Sequence, residues 1–163
     1  MKTLKKKSEF LVFGAPDIQD QEIDEVIACL KTGWIGTGPR VDTFESQFRK
    51  YKQAGNAVAM NSCTAGLHLS LLALGIGPGD EVITSPLTFC ATINAIIHSG
   101  ATPVLADINP QTAIIDTDSI QRCISKNTKA VMMVHLYGQV CSIDEVIKII
   151  RGSRSKEDAH NAL

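Results

Sequence analysis

From residue 57 onward, short apolar runs alternate with helix-like stretches, and that alternation restricts the fold more than any other feature of the chain. Ala57–Met60, Glu81–Thr84, Pro103–Asp107 and Ala130–His135 read as strands. Thr64–Leu74, Phe89–His98 and Asp118–Ile124 read as the helices between them. Ser142–Ile150 follows the last strand as a further helix, with Ser142 as its cap and Asp144 and Glu145 in its first turn. Parallel strands need long crossovers, and right-handed helical crossovers cover both faces of the sheet. The expected class is therefore α/β, a mainly parallel sheet with helices on both faces. In such sheets ligands bind at the carboxyl ends of the strands. Those ends carry Asn61-Ser62, Thr84-Ser85, Asp107 and His135-Leu136-Tyr137-Gly138, a polar edge.

Upstream of the alternation, Ile23, Val26, Ile27 and Leu30 recur at i, i+3, i+4 and i+7, one face of a helix. Asp20 is placed to cap it, Lys31 suits its last turn and Gly33 its end. Val41, Phe44, Phe48 and Tyr51 mark a second helix. Between the two lies Gly33-Trp34-Ile35-Gly36-Thr37-Gly38-Pro39, too rich in glycine for regular structure. It serves either as a connector or, given a Trp among glycines, as a loop lining a site.

Two stretches on the polar edge carry possible chemistry. Asn61-Ser62-Cys63-Thr64-Ala65-Gly66 spans a strand-to-helix turn. Ser62 or Thr64 could simply cap the helix. Alternatively, the first helical N–H groups, two hydroxyls and the open backbone at Ala65 and Gly66 suit a phosphate, which the helix dipole also favours. Thr84-Ser85-Pro86-Leu87-Thr88-Phe89 ends on an aromatic opening a helix. Phe89 is either a packing residue or a surface for stacking on a flat ring.

Composition excludes several classes. Hydrophobic residues make up 44% and charged residues 20% of the 163, so a packed core is attainable. A net charge of -1 draws the chain toward neither nucleic acid nor a membrane surface, and neither is expected as a partner. The Lys5-Lys6-Lys7 run reads as a solvated end. Five cysteines, an odd count without C-x-x-C spacing or a Cys/His cluster, suggest neither disulfides nor a metal site. No apolar run approaches the ~20 residues of a membrane span, and the basic N-terminus lacks the apolar core of a signal peptide. A cytoplasmic protein is expected.

Seven segments in order resemble the sugar aminotransferases of the DegT/DnrJ/EryC1/StrS family. They are Gly33–Pro39, Asn61–His68, Gly77–Ile83, Thr88–Thr92, Gly100–Val104, Asp107–Pro110 and Val134–Gln139, within a match from about Pro16 to Ile150. The resemblance implies the aspartate-aminotransferase-like fold, pyridoxal 5′-phosphate as cofactor, and transfer of an amino group from glutamate to a nucleotide-linked keto-sugar. It implies that Thr64 and Ala65 hold the cofactor phosphate and that Phe89 stacks on the pyridine ring. It also implies that the Gly33–Pro39 loop lies near a site shared by two subunits of a homodimer. Residues 1–150 would be the N-terminal part of the large domain and residues 151–163 a divergent polar tail.

The chemistry also needs a lysine that bonds to the cofactor and moves the proton, and a carboxylate paired with the pyridine nitrogen. Glu157-Asp158-Ala159 resembles the family's carboxylate motif, which makes Asp158 the candidate pyridine partner, although no apolar strand precedes it. Ser153-Arg154-Ser155-Lys156 has the Ser-x-x-Lys spacing but stands before the Asp rather than after it, so no residue is assigned a catalytic role. The chain is expected to be a truncated aminotransferase, inactive alone. The alternatives are a non-catalytic family copy or partner subunit, and a sugar dehydratase using the same cofactor.

Overall fold

The computed structural model describes residues 14–161, with side chains through residue 153, and the chain divides into two compact units, Met1–Ala59 and Met60–Leu163. The Lys5-Lys6-Lys7 run lies outside the described residues. No helix among the described residues is long and apolar enough to cross a membrane.

The first unit contains α1 (Asp20–Thr32) and α2 (Pro39–Lys52). Gln19, not Asp20, caps α1: its backbone N–H donates to Glu22 Oε2 at 2.8 Å, and the Gln19 side chain returns the bond to the helix. The Gln-x-x-Glu pair satisfies two groups at once, which a lone Asp does not. Gly33 closes α1 as expected, in the left-handed conformation at φ 72°, donating its N–H to Leu30 O at 3.1 Å. Pro39 opens α2, where its missing N–H has no helical partner to lose. An ion pair between Arg40 and Glu25 ties the helices. The helical period of Ile23, Val26, Ile27 and Leu30 is confirmed, but all four remain exposed.

The second unit runs α3 (Cys63–Ala73), β1 (Glu81–Thr84), α4 (Cys90–His98), β2 (Thr102–Leu105), α5 (Thr117–Cys123), β3 (Thr128–Met132), a 3-10 turn at Leu136–Gly138, and α6 (Ile143–Asn161). The strands pair in parallel in the order β2-β1-β3. Successive residues of a strand point to opposite faces, and β1 shows the consequence. Val82 packs with Leu71 of α3, Ile76 and Ile96 of α4. Ile83 packs on the other face with Ala106, Ile120 of α5 and Val146 of α6. The sheet is thus covered on both faces, as the alternation required.

Two further expectations fail. Ala57–Met60 is irregular rather than a strand, with Val58 72% exposed. A strand exists only through its ladder of hydrogen bonds, and no described strand lies alongside this run. The last helix does not stop at Ile150 but continues to Asn161. Residues 151–161 contain no proline and include Arg, Lys, Glu and Ala, good helix formers that carry the helix past Gly152.

Candidate functional site

The chain leaves β1 toward α4 on one face of the sheet, and leaves β2 and β3 toward α5 and α6 on the other. Connections that diverge in this way open a crevice at the carboxyl end of β1. Polar groups fix that end. The buried Thr84 hydroxyl donates to Met132 O at 2.8 Å, joining β1 to β3. Ser85, also buried, accepts the Leu87 N–H on its Oγ at 3.1 Å. Thr88 and Thr92 share a hydroxyl hydrogen bond of 2.7 Å. These bonds hold the loop that presents Phe89 at the start of α4, where it is 78% exposed. An apolar ring this open has little packing role among the described residues.

α3 and α4 lie on the same face, and their carboxyl ends meet. A Cβ on Gly100, just past α4, would stand 3.0 Å from the ring of Pro78, just past α3. Gly100 also has φ +86°, a second reason for glycine there. Both helices therefore open toward the strands' carboxyl ends. At the start of α3, Ser62 caps the helix, its Oγ accepting the Ala65 N–H at 3.1 Å, while Ser62 O accepts the Gly66 N–H. The N–H groups of Cys63 and Thr64 and the exposed Thr64 hydroxyl have no partner among the described residues. The cap reading of this turn is met, and donors for the other reading remain. Ser62 is the cap, and two amides and a hydroxyl of an eleven-residue helix stay free for an anion. That donor set fits a phosphate monoester. Ala65, half-buried, can join it only by sharing or exchanging its bond to Ser62.

At His135-Leu136-Tyr137-Gly138, already on this edge by sequence, the structure adds bonding and backbone detail. His135 accepts the Cys141 N–H on Nδ1 at 3.2 Å, which places the ring proton on Nε2. Tyr137, 90% exposed, is held at φ 52°, a conformation costly for a non-glycine residue. Cys141 is buried with its thiol directed at Val134 O, and burial pushes the thiol pKa up. A raised pKa means less thiolate at a given pH, and reactivity follows the thiolate. At pH 8, iodoacetamide should modify the exposed Cys63 and Cys90 at least about tenfold faster than Cys141 in the folded chain, read by peptide mass spectrometry.

In the first unit, Trp34 Nε1–H donates to Thr37 O at 2.8 Å, folding the Gly33–Pro39 loop around the indole. A Cβ on Gly38 would lie 2.2 Å from that nitrogen, so the close approach requires glycine. Asp158 lies on the backbone of α6. Every lysine whose side chain is described is exposed.

Residues 16–161 match the DegT/DnrJ/EryC1/StrS aminotransferase family. The chain is 48% identical over 162 residues to spore coat polysaccharide biosynthesis protein SpsC of Bacillus subtilis, covering 98% of this chain and 42% of that protein. It is 44% identical over 138 residues to GDP-perosamine synthase of Caulobacter vibrioides, covering 84% and 37% of the two chains. Among solved structures, Spr1654 of Streptococcus pneumoniae in its PLP form superposes with a TM-score of 0.85 at 40% identity, over 89% of this chain and 37% of that one. NtdA of Bacillus subtilis, solved with bound cofactor PMP, gives 0.79 at 36% identity, over 84% and 32%. The chain spans about two fifths of the length of the curated relatives it matches.

Proposed function

We propose, because this chain belongs to the DegT/DnrJ/EryC1/StrS aminotransferase family, that it forms the cofactor-phosphate part of a pyridoxal-phosphate-dependent nucleotide-sugar aminotransferase. The parent reaction moves an amino group from glutamate to a keto-sugar carried on a nucleotide, in a homodimer. Residues 1–150 are the first part of its large domain. The observation that carries this reading is the free amide pair and hydroxyl at Cys63 and Thr64, at the helix start that opens toward the crevice beside β1.

Each residue has a defined task. Thr64 donates its N–H and hydroxyl to phosphate oxygens, and the dipole of α3 adds to the attraction. Ser62 holds the turn while Ala65 exchanges its N–H between Ser62 and the phosphate. Phe89 covers one face of the pyridine ring and excludes water from it. Asp158 is assigned to the pyridine nitrogen on the resemblance of Glu157-Asp158-Ala159 alone. When bound, pyridoxal phosphate supplies an electron sink for charge developing next to the transferred nitrogen.

A second reading is favoured by the exposure of every described lysine. None has the buried, apolar surroundings that a nucleophilic lysine needs. On that reading the chain binds the cofactor or an intact subunit and does no chemistry. A chimera separates the two. Residues 16–150 of this chain replace their counterpart in the Bacillus subtilis relative, and glutamate-dependent amino transfer to a nucleotide keto-sugar is assayed. The aminotransferase reading expects turnover by the chimera and none by the 163-residue chain alone. A folded chimera that binds no pyridoxal phosphate, or turnover by the isolated chain, contradicts it.

A further inference from the structure

We propose that His68 and His98 form a binding site for one divalent transition ion of the zinc, nickel or copper class, and that the ion clamps α3 to α4. His68 lies within α3 and His98 is the last residue of α4. Their rings meet edge to face, with centres 6.0 Å apart and planes inclined at 70°. The two residues stand on separate helices, so no short spacing in the sequence announces the pair. A ring contact of this kind leaves the nitrogens unused. Among the described residues no hydrogen bond or ion pair engages any of the four ring nitrogens, in contrast to His135, whose Nδ1 accepts a backbone N–H. His68 is nevertheless half-buried, and polar groups drawn out of water ordinarily have a partner.

An ion fits between them. Metal–nitrogen bonds of about 2.0–2.1 Å place two imidazoles on one ion with centres about 5–6.5 Å apart, according to the angle between the bonds. The observed 6.0 Å falls in that range. The torsion that turns an imidazole is broad, so each ring can swing a nitrogen to the ion at little cost. The helices beneath hold their places, because Leu71 of α3 and Ile96 of α4 are buried in one core cluster with Val82. The ion also sits at the carboxyl end of α4, where the helix dipole favours a cation.

The donor set names the class of ion. Imidazole nitrogen suits zinc, nickel and copper, whereas magnesium and calcium take oxygen. No third His, Cys, Asp or Glu joins the pair among the described residues. His98 is exposed, so water completes the coordination and the ion enters from solvent. The clamp fixes the spacing of the helix that begins with the free Cys63 and Thr64 amides and the helix that begins beside Phe89. It does not depend on what those helix starts bind.

The test titrates nickel chloride into the full 163-residue chain by calorimetry and repeats urea denaturation with and without the metal. One ion per chain is expected. His98→Ala carries the test, since that ring is exposed and its loss leaves the core intact. It should weaken nickel binding at least about tenfold, because the second imidazole binds within the same molecule. His68→Gln should do the same, and His135→Ala should leave the affinity unchanged. Nickel should raise the urea midpoint of the parent chain and not that of His98→Ala. No saturable binding, an affinity that His98→Ala leaves unchanged, a loss on changing His135, or binding without a rise in midpoint overturns the clamp.

Discussion

Thr64→Val should lower the affinity of the chain for pyridoxal phosphate by about ten- to a hundredfold, because on the proposed reading it removes a hydroxyl that donates to a dianion. Hydrogen bonds to charged groups are worth about 1.5–3 kcal/mol, and every 1.4 kcal/mol is about tenfold in binding. Thr64 is exposed and its hydroxyl has no partner among the described residues, so stability should change by no more than about 0.5 kcal/mol. The contrast with Ser62 makes the result specific. Ser62→Ala removes the cap on the Ala65 N–H and should cost about 1 kcal/mol of stability. It also frees that N–H for the phosphate, so binding should fall less than in Thr64→Val. Isothermal titration and urea denaturation of the two variants give all four numbers. The reverse pattern, with binding lost on changing Ser62 and kept on changing Thr64, would leave the turn as a cap and nothing more.

Ile83→Ala should give the largest stability loss of any single truncation considered, about 2–5 kcal/mol. Ile83 is 0% exposed on the central strand and is packed with Ile120 of α5 and Val146 of α6. Removing three methyl or methylene groups there leaves a cavity that two helices and a sheet cannot easily close. Stability of a whole domain is about 5–15 kcal/mol, so the variant would be partly unfolded under mild denaturant. The shift in urea midpoint at unchanged slope measures it. A loss below about 1 kcal/mol would mean that α5 and α6 do not pack on β1 as described.

The parts of this fold that were legible in the sequence are those fixed by local period. The spacing of Ile23, Val26, Ile27 and Leu30 gave α1, and the apolar runs at Glu81–Thr84 and Ala130–His135 gave β1 and β3. Parallel pairing and two-sided cover followed from the alternation. What pattern could not decide was pairing. Ala57–Met60 has the same character as the true strands but no strand beside it among the described residues, and strand formation is a property of two segments. The helix cap shifted by one residue for a related reason, because Glu22 makes Gln19 a better cap than Asp20 and only the reciprocal bond reveals it.

The candidate site was legible in the same proportion. Thr64, Ala65 and Phe89 sit where the turn and the helix start required, and the exposure of Phe89 and the free Thr64 amide are what a ligand needs. The bond between Thr84 and Met132, which ties the crevice together, joins residues 48 apart in the chain. The nitrogen of His135 that meets Cys141 likewise depends on how the chain returns after β3.

The most direct test is an amide-resolved nuclear magnetic resonance titration of the 163-residue chain with pyridoxal phosphate. Saturable shifts are expected at Cys63, Thr64 and Ala65, accompanied by Phe89 at the start of α4, with inorganic phosphate moving the first three and sparing Phe89. Shifts confined to the exposed lysines, with Cys63–Ala65 unmoved, would contradict the phosphate reading.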